Sequence, residues 1–305
     1  LLNDGRGRLV AERFADVAIL AATYPTHGFS ANRVRMYAAA VDRALRPIAG
    51  ADLPKVRTAL AGLGYAWLQG EQIKAVYWLQ PSLVALNGLV QVDQRGLVRF
   101  RSPLFALFCA ALHLAAHHAW HDFDLDNPLW HELLPLTAGL LADPAPLYNA
   151  IRGNRPLTSQ RVLLLGRCLR EHHVPIAGWS AAIIRALVHV ARHEPAYTEQ
   201  IWHLLESMES VVSATIAEQL SNGSEGEAWA LQVVRSMPSH LALDYLLDML
   251  SDSRLSYNTR QSAAQQLFAM HDVQLTPRLI SLAQRQHDDW GQLLVNYLLA
   301  QNSHA

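Results

Sequence analysis

The chain has 305 residues, enough for about two domains or one long repeat array. Hydrophobic residues make up 51% of it and charged residues 17%, which allows a large core and argues against intrinsic disorder. The formal net charge of -1 argues against a dedicated binder of nucleic acid or of anionic membranes. Cys109 and Cys168 lie in apolar helical runs, which predicts buried free thiols in a reducing, cytoplasmic compartment.

Targeting segments are not indicated by the hydropathy of the chain. No uninterrupted apolar run reaches the ~20 residues that a membrane span needs. The apolar run at 17–22 is short and follows Glu12 and Asp16, so we do not interpret it as a signal peptide. Because the chain begins at Leu1 without methionine, we expect it to be a fragment of a longer protein.

The first part of the chain is predicted to be helical. Ser30 is the predicted N-cap of a helix, because a side-chain oxygen at that position can accept a hydrogen bond from the first turn. Asp52 is the predicted N-cap of the next helix, which has Pro54 in its first turn. A further short helix after Pro81 is predicted to stop at Asn87. The longer predicted helices are Leu9–Thr23, Ala31–Arg46 and the segment from Asp52 to about Gln69.

A β-hairpin is predicted in the middle of the first half. Apolar and polar residues alternate over 90–92 and 98–101, on both sides of a turn in which Gly96 supplies a positive φ. Pro103 fits the first turn of a helix, where its missing N–H is not needed. The nearly unbroken apolar run over 104–119 predicts that this helix is buried on most sides.

From about residue 158, predicted helices follow one another with short breaks, which is typical of stacked antiparallel helix pairs. One unit resembles a HEAT repeat: a leucine-rich helix from Leu241, a turn with Asp252, and a second helix with Arg260. We expect Asp252 and Arg260 to link adjacent turns. The alternative is a solvated surface pair worth under about 1 kcal/mol. The predicted helices are Thr158–His172, Trp179–Arg192, Ala196–Met208, Ser210–Gln219, Glu225–Ser236, His240–Leu250, Thr259–Met270, Thr276–Gln286 and Asp288–Ala300.

Together these patterns predict a mainly α fold in four parts. A helical segment at 1–47 precedes a winged-helix-like module with one β-hairpin at 52–120. A helical linker at 121–157 then leads to an α-solenoid of HEAT-like helix pairs at 158–305. Because a helical stack leaves a long groove beside its continuous core, the expected ligand of the solenoid is a protein or a peptide.

Histidines at the end of the buried helix form a candidate metal site. His113, His117 and His121 fall at i, i+4 and i+8, which is a workable zinc geometry with a carboxylate as a further ligand. The alternative, which we favour, is a polar helix end at which histidine suits the C-terminal dipole. The carboxylates that follow are Asp122, Asp124 and Asp126.

Arginines on the hairpin form a candidate nucleic-acid contact. Arg95, Arg99 and Arg101 lie on the predicted wing, and the wings of DNA-binding winged helices contact backbone phosphate. The alternative is the solvent face of an alternating strand. Because the candidate recognition helix at 81–87 has no basic residue, the sequence argues against nucleic-acid binding.

Catalytic motifs are not found. The sequence has no Gly-x-x-x-x-Gly-Lys-Ser/Thr loop for nucleotide phosphates, and no serine, histidine and aspartate in a nucleophile-elbow context. We therefore expect this chain to be non-catalytic and to bind no cofactor of its own.

Residues 14–150 resemble the segment that follows the ATPase core in NACHT-type (STAND) signalling NTPases of bacteria. Ala31–Tyr37 resembles the family's P-x-x-R-x-x-L-Y helix start, and Leu86–Val90 with Val98–Phe100 resembles its wing. Trp130–Pro144 resembles its W-x-e-v-i-l-l-a-g-l-l-x-d-p helix. These pieces occur in the family's order.

The resemblance implies a regulatory and partner-sensing region in bacterial signalling or defence, packed against an ATPase domain upstream of Leu1. ATP or ADP and Mg²⁺ would bind in that upstream domain. Ser102 stands where the family often has a histidine that senses the phosphates of the nucleotide, so nucleotide sensing does not follow for this module. The alternatives are a freestanding HEAT-repeat protein-interaction scaffold and a winged-helix nucleic-acid binder.

Overall fold

The computed structural model describes residues 32–46, 48, 52–71, 74, 89–118, 120, 123–153, 156–270, 275–285 and 291. These residues form thirteen α-helices and one two-stranded antiparallel hairpin, which confirms the mainly helical prediction. None of the described helices is long and apolar enough to cross a membrane. The predicted helices at Leu9–Thr23, after Pro81 and at Asp288–Ala300 lie outside the described elements.

Packing divides the chain into two compact units, with the division between Trp179 and Ser180 in the sequence. The first unit contains α1 (Arg33–Leu45), α2 (Leu53–Leu68), β1 (Val90–Val92), β2 (Val98–Phe100), α3 (Pro103–His117), α4 (Pro128–Leu140), α5 (Ala145–Arg152) and α6 (Ser159–His172). Helix α3 packs on both α2 and α4, and α4 packs on α6. Because α6 belongs to this unit, the division lies one helix later than the predicted boundary at residue 158.

The hairpin forms where the alternation predicted it. Val90 pairs with Phe100, and Val92 pairs with Val98. Gly96 takes the predicted positive φ, +76°. The turn is held by the Asp93 carboxylate, which accepts hydrogen bonds of 2.9 Å from the backbone N–H groups of Arg95 and Leu97.

Helix α3 lies at the centre of the first unit. Ser102 is its N-cap, with the hydroxyl accepting a 3.3 Å hydrogen bond from the Leu104 N–H, and Pro103 occupies the first turn as predicted. Its residues 106–111 are all buried. Gly64 of α2 permits this close packing, because a Cβ at that position would meet the backbone of α3.

In the first unit, one local prediction is wrong and one helix was not predicted. The N-cap of α1 is Asn32 and not Ser30. Its side chain accepts from the Arg35 N–H at 3.1 Å and donates to the Glu171 carbonyl at 2.8 Å, so a distant helix fixes where α1 begins. The helix that was not predicted is α5, which lies within the predicted helical linker at 121–157. The Asp143 carboxylate accepts from the Ala145 N–H at 2.9 Å and supports the start of this helix.

The second unit contains α7 (Ser180–His193), α8 (Pro195–Ser207), α9 (Glu209–Ser221), α10 (Ser224–Ser236), α11 (Ser239–Ser251), α12 (Tyr257–Ala269) and α13 (Leu275–Arg285). Each begins and ends within two residues of its predicted bounds. Consecutive helices pack as neighbours from α7 to α12, while α7 also contacts α10 and α10 also contacts α12. Helix α7 also contacts α9, so both α7 and α10 pack on helices beyond their neighbours in the sequence.

Candidate functional site

The candidate metal-binding histidines stack on one another and on a tyrosine. The ring centroids of His113 and His117 lie 4.4 Å apart, and those of Tyr65 and His113 lie 4.5 Å apart. Burial lowers the pKa of His113, and the neighbouring His117 lowers it further. His121 lies outside the described residues. Within the described ranges, no group of three or more histidine, cysteine, aspartate or glutamate side chains could hold a metal ion.

The candidate wing arginines are all exposed at the hairpin. Arg99 pairs with the Asp93 carboxylate across 3.6 Å, with 65% of its side chain exposed. Arg95 lies in the turn, and the backbone N–H of Arg101 donates to the Leu89 carbonyl at 2.9 Å. The hydrogen bond from the Leu97 amide is the largest influence on the pKa of Asp93, which lies below its ordinary value. This placement fits the solvent face that the sequence offered as the alternative.

The proposed repeat pair lies at the turn between α11 and α12. Arg260 is buried, and its Nε donates to the Leu250 carbonyl at 3.1 Å, so it ties α12 to the end of α11. Asp252 accepts from Nε and Nη2 of Arg254 at 2.9 and 2.8 Å. The Arg254 hydrogen bond is the main reason that the pKa of Asp252 is lowered, and the charge of Arg260 contributes. The sequence did not single out Arg254.

A buried carboxylate that the sequence did not single out connects α10 to α12. Glu227 is 8% exposed and accepts hydrogen bonds from the Ser256 hydroxyl at 2.5 Å and the Thr259 hydroxyl at 2.7 Å. Burial raises the pKa of Glu227, but these hydrogen bonds outweigh it, so the pKa lies below its ordinary value. Ser256 is also the N-cap of α12, and Glu227 therefore fixes where that helix begins.

A second buried carboxylate holds three helices of the first unit together. Arg33 of α1 donates to Glu132 of α4 at 3.1 Å, and its guanidinium lies 4.0 Å from Glu171 of α6. Arg170 pairs with the same Glu171 carboxylate at 3.0 Å. The Glu171 side chain is only 2% exposed, so its charge is balanced by neighbouring guanidinium groups and not by water.

An open cleft in the second unit is the best candidate for a binding site. It has a volume of about 260 Å³ and lies between α8, α9 and α11. Leu205, Val212 and Met237 form an apolar floor and are themselves 3%, 2% and 7% exposed. The base of the cleft is therefore apolar and well packed, and only a small part of each of these side chains faces the opening.

The rim of this cleft is acidic. Glu206 of α8, Glu209 of α9, and Asp244 and Asp248 of α11 all line it, and all four are exposed. Burial raises the pKa of Asp248, the charge of Asp244 raises it further, and Arg278 opposes them. Asp244 and Asp248 therefore lie close enough to repel each other. With Glu206 and Glu209 on the same rim, the cleft is electronegative.

Two hydroxyl groups form a hydrogen bond between the helices that line the cleft. Ser213 of α9 and Tyr245 of α11 lie 3.1 Å apart, Oγ to OH. Burial is the main reason that the pKa of Tyr245 is raised; the Ser213 hydrogen bond opposes this, and Glu209 reinforces it. This contact spans the cleft and sets the separation of α9 and α11 at that point.

A cation of the chain already pairs with the rim. Nη2 of Arg278, on α13, lies 2.5 Å from Oδ1 of Asp244, and 48% of the Arg278 side chain is exposed. This guanidinium contacts α11 beside the cleft. The carboxylates of Glu206, Glu209 and Asp248 also line the cleft.

The sequence did contain a signal for this rim. Asp244 and Asp248 are spaced by four residues within the leucine-rich helix, so these two carboxylates share a helix face. Glu206 and Glu209 lie on two successive helices, so their spacing in the sequence gives no such signal. We interpreted the helix from its leucines alone. Which faces of α8, α9 and α11 meet depends on tertiary packing, and the sequence pattern does not specify it.

Fold and site together define a class: a mainly helical protein with one β-hairpin and an acidic cleft among its later helices. No family model, no curated protein and no solved structure matches this chain.

Proposed function

We propose that this chain is a non-catalytic regulatory and interaction region, and that its second unit binds a protein partner in the cleft between α8, α9 and α11. The cleft is the observation that carries this proposal. Its floor is lined by apolar side chains, its rim is charged, and its volume of about 260 Å³ lies just below the range of pockets that enclose whole small molecules. Such a cleft suits a few side chains of a partner protein.

The helix contacts support a HEAT-like stack as the scaffold for this cleft. Helix α9 packs on α10 and α11 packs on α12, while α7 contacts both α9 and α10, and α10 contacts α12. In that arrangement α9 and α11 would form one exposed layer, and the cleft lies between them.

The hairpin and α3 support a winged-helix-like module in the first unit. The strand β2 leads directly into α3 and packs on it, and α3 packs on the preceding α2. A small hairpin that follows packed helices and precedes a buried one has the order of elements of such a module.

The regulatory part of the proposal rests on the resemblance to NACHT-type NTPases. A partner that binds the second unit more tightly in an open form of the parent protein would release its ATPase from a closed form. Only the difference in affinity between the two forms counts, and a shift from mostly closed to mostly open needs on the order of 5 kcal/mol.

Site-specific cross-linking in the complete gene product tests whether the cleft binds a partner. A photo-reactive amino acid is placed at His240, which lines the cleft, or at Gln232, an exposed control on α10. We expect a discrete protein adduct from position 240 and none of that size from position 232. Equal patterns from both positions would contradict partner binding in the cleft.

Nucleotide hydrolysis tests the regulatory half separately. The complete gene product is compared with a form that lacks 180–305. We expect the deletion to change the basal rate of ATP hydrolysis or its response to the cross-linked partner. A complete protein that binds no nucleotide would instead favour the freestanding scaffold.

A further inference from the structure

We propose that the partner segment that occupies this cleft is an amphipathic basic peptide, with arginine or lysine side chains on the acidic rim and an apolar side chain on the floor. The inference rests on the proposed function and names the chemistry of its partner. Three observations on α8, α9, α11 and α13 carry it.

The first observation is the charge of the rim. Four carboxylates from three helices, those of Glu206, Glu209, Asp244 and Asp248, face one cleft. The repulsion between Asp244 and Asp248 is relieved when a cation enters, and a partly water-excluded site strengthens that attraction relative to bulk water. The same rim repels phosphate, so nucleic acid and phosphopeptides are disfavoured as occupants.

The second observation is the pair between Arg278 and Asp244. At 2.5 Å between Nη2 and Oδ1, a guanidinium of this chain already binds one carboxylate of the rim. A planar guanidinium therefore fits the spacing and exposure of α11, and an arginine from a partner would find the same geometry at Asp248, one helical turn away.

The third observation is the floor. Leu205, Val212 and Met237 line the cleft below the rim, and an apolar side chain that enters the cleft would pack on their exposed atoms, which a metal ion would not do. No group of three or more metal-ligating side chains converges anywhere in the described ranges, the cleft included. An occupant with both cationic and apolar side chains satisfies the rim and the floor together.

Because Arg278 already pairs with Asp244, the proposal predicts opposite effects on partner affinity for Arg278 and for the aspartates. A partner arginine that binds Asp244 competes with the Arg278 side chain. Removing the guanidinium of Arg278 should therefore tighten partner binding, whereas removing the carboxylates of Asp244 and Asp248 should weaken it. A merely structural role for these residues would not give opposite signs.

The experiment measures fluorescence anisotropy of labelled peptides added to the full 305-residue chain. The probe is a short amphipathic peptide of arginine and leucine. Two comparison peptides replace every arginine with glutamate or every leucine with glycine. The protein variants are D244N/D248N, R278Q and the matched control E199Q/E218Q, whose two glutamates are exposed and lie outside the cleft.

We expect the arginine–leucine peptide to bind, and D244N/D248N to weaken it about tenfold, as the loss of two charge pairs implies. R278Q should tighten binding about threefold, and E199Q/E218Q should leave it within about twofold. At about 1 M salt, where the Debye length is about 3 Å, the difference between the chain and D244N/D248N should largely vanish. Circular dichroism of each variant checks that it folds.

Other outcomes would overturn the proposal in identifiable ways. Equal binding of the arginine–glycine peptide would mean that the floor is not used, and binding of the glutamate–leucine peptide would mean that the rim does not select charge. If a cross-link at position 240 persists unchanged in D244N/D248N, partner binding stands and the basic occupant is wrong. If no position-specific cross-link forms, the proposed function itself fails.

Discussion

The two units differ in how closely a pair of their helices packs and in how exposed their clustered carboxylates are. In the first unit, α2 and α3 approach closely at Gly64, and the Glu171 carboxylate is buried among arginines. In the second unit, α9 and α11 lie apart across a cleft, joined through Ser213 and Tyr245, and the carboxylates of the rim are exposed. Small residues at a crossing remove the space that a ligand would need, and a buried, paired carboxylate such as Glu171 is not accessible to a partner. This difference locates the proposed binding in the second unit.

The largest effect is expected when the buried ion pairs of the first unit are removed. Arg33→Met is expected to lower the free energy of unfolding by about 3 kcal/mol, because it leaves the buried Glu171 carboxylate and the half-buried Glu132 carboxylate with fewer cationic partners. Arg35→Met, at an exposed position of the same helix, is expected to change it by less than about 0.5 kcal/mol. Urea unfolding followed by circular dichroism measures both, and equal effects would show that the Arg33 network is not needed.

The next test opens the close crossing. Gly64→Ala is expected to cost about 2 kcal/mol, because the new Cβ meets the backbone of Ala106 and Ala110 and forces α2 and α3 apart. Gly62→Ala is the matched control: no atom lies within 4 Å of its Cβ. This control should raise stability by about 0.5–1 kcal/mol, since alanine suits a helix interior better than glycine. The two substitutions should thus differ in sign in the same urea experiment.

Glu227 tests what holds the second unit together away from its cleft. Glu227→Ala is expected to cost about 1.5 kcal/mol, because the hydroxyls of Ser256 and Thr259 lose a charged acceptor and α12 loses support at its N-cap. Glu225→Ala, at an exposed position in the same first turn, should cost less than about 0.5 kcal/mol. A loss of the same size for both would contradict the structural role of Glu227.

The same carboxylate gives the second unit a pH dependence. The pKa of Glu227 in the folded state lies below its ordinary value of 4.5, so the charged form contributes stability above that value, which is lost as the pH falls through the folded pKa. Between about pH 5 and about pH 3, the stability of the chain should therefore fall more steeply than that of E227Q. Parallel profiles for the two proteins would contradict this prediction.

The smallest effect on stability is expected from the hydrogen bond that joins α9 and α11 at the cleft. Tyr245→Phe removes the hydroxyl that meets Ser213 and is expected to cost about 1 kcal/mol. Tyr197→Phe, at a half-buried tyrosine outside the cleft, should stay within about 0.5 kcal/mol. If Tyr245→Phe is neutral, the contact between α9 and α11 does not set the width of the cleft.

Structural features that depend on residues close together in the sequence could be predicted from it. The hairpin follows from period-two alternation and from Gly96, and the start of α3 follows from Pro103. The helices of the second unit follow from apolar spacing and short breaks. In each case the determining interactions span only a few positions of the chain.

Features that depend on distant residues could not be predicted. Asn32 is the N-cap of α1 because its side chain also reaches the Glu171 carbonyl, 139 positions further along the chain. Glu227 binds hydroxyls 29 and 32 positions away. The cleft likewise exists only because three separate helices turn their acidic faces toward one another, as at Asp244 and Glu209.

The two thiols have a practical consequence. Burial raises the pKa of Cys109 to about 12 and also raises that of Cys168, so both remain protonated and shielded from reagents in the folded chain. Both lie in the first unit, and the second unit contains no cysteine. The rate at which a maleimide dye modifies the unaltered chain therefore reports the opening of the first unit alone, while a cysteine engineered onto the surface of the second would react at once and label that unit selectively.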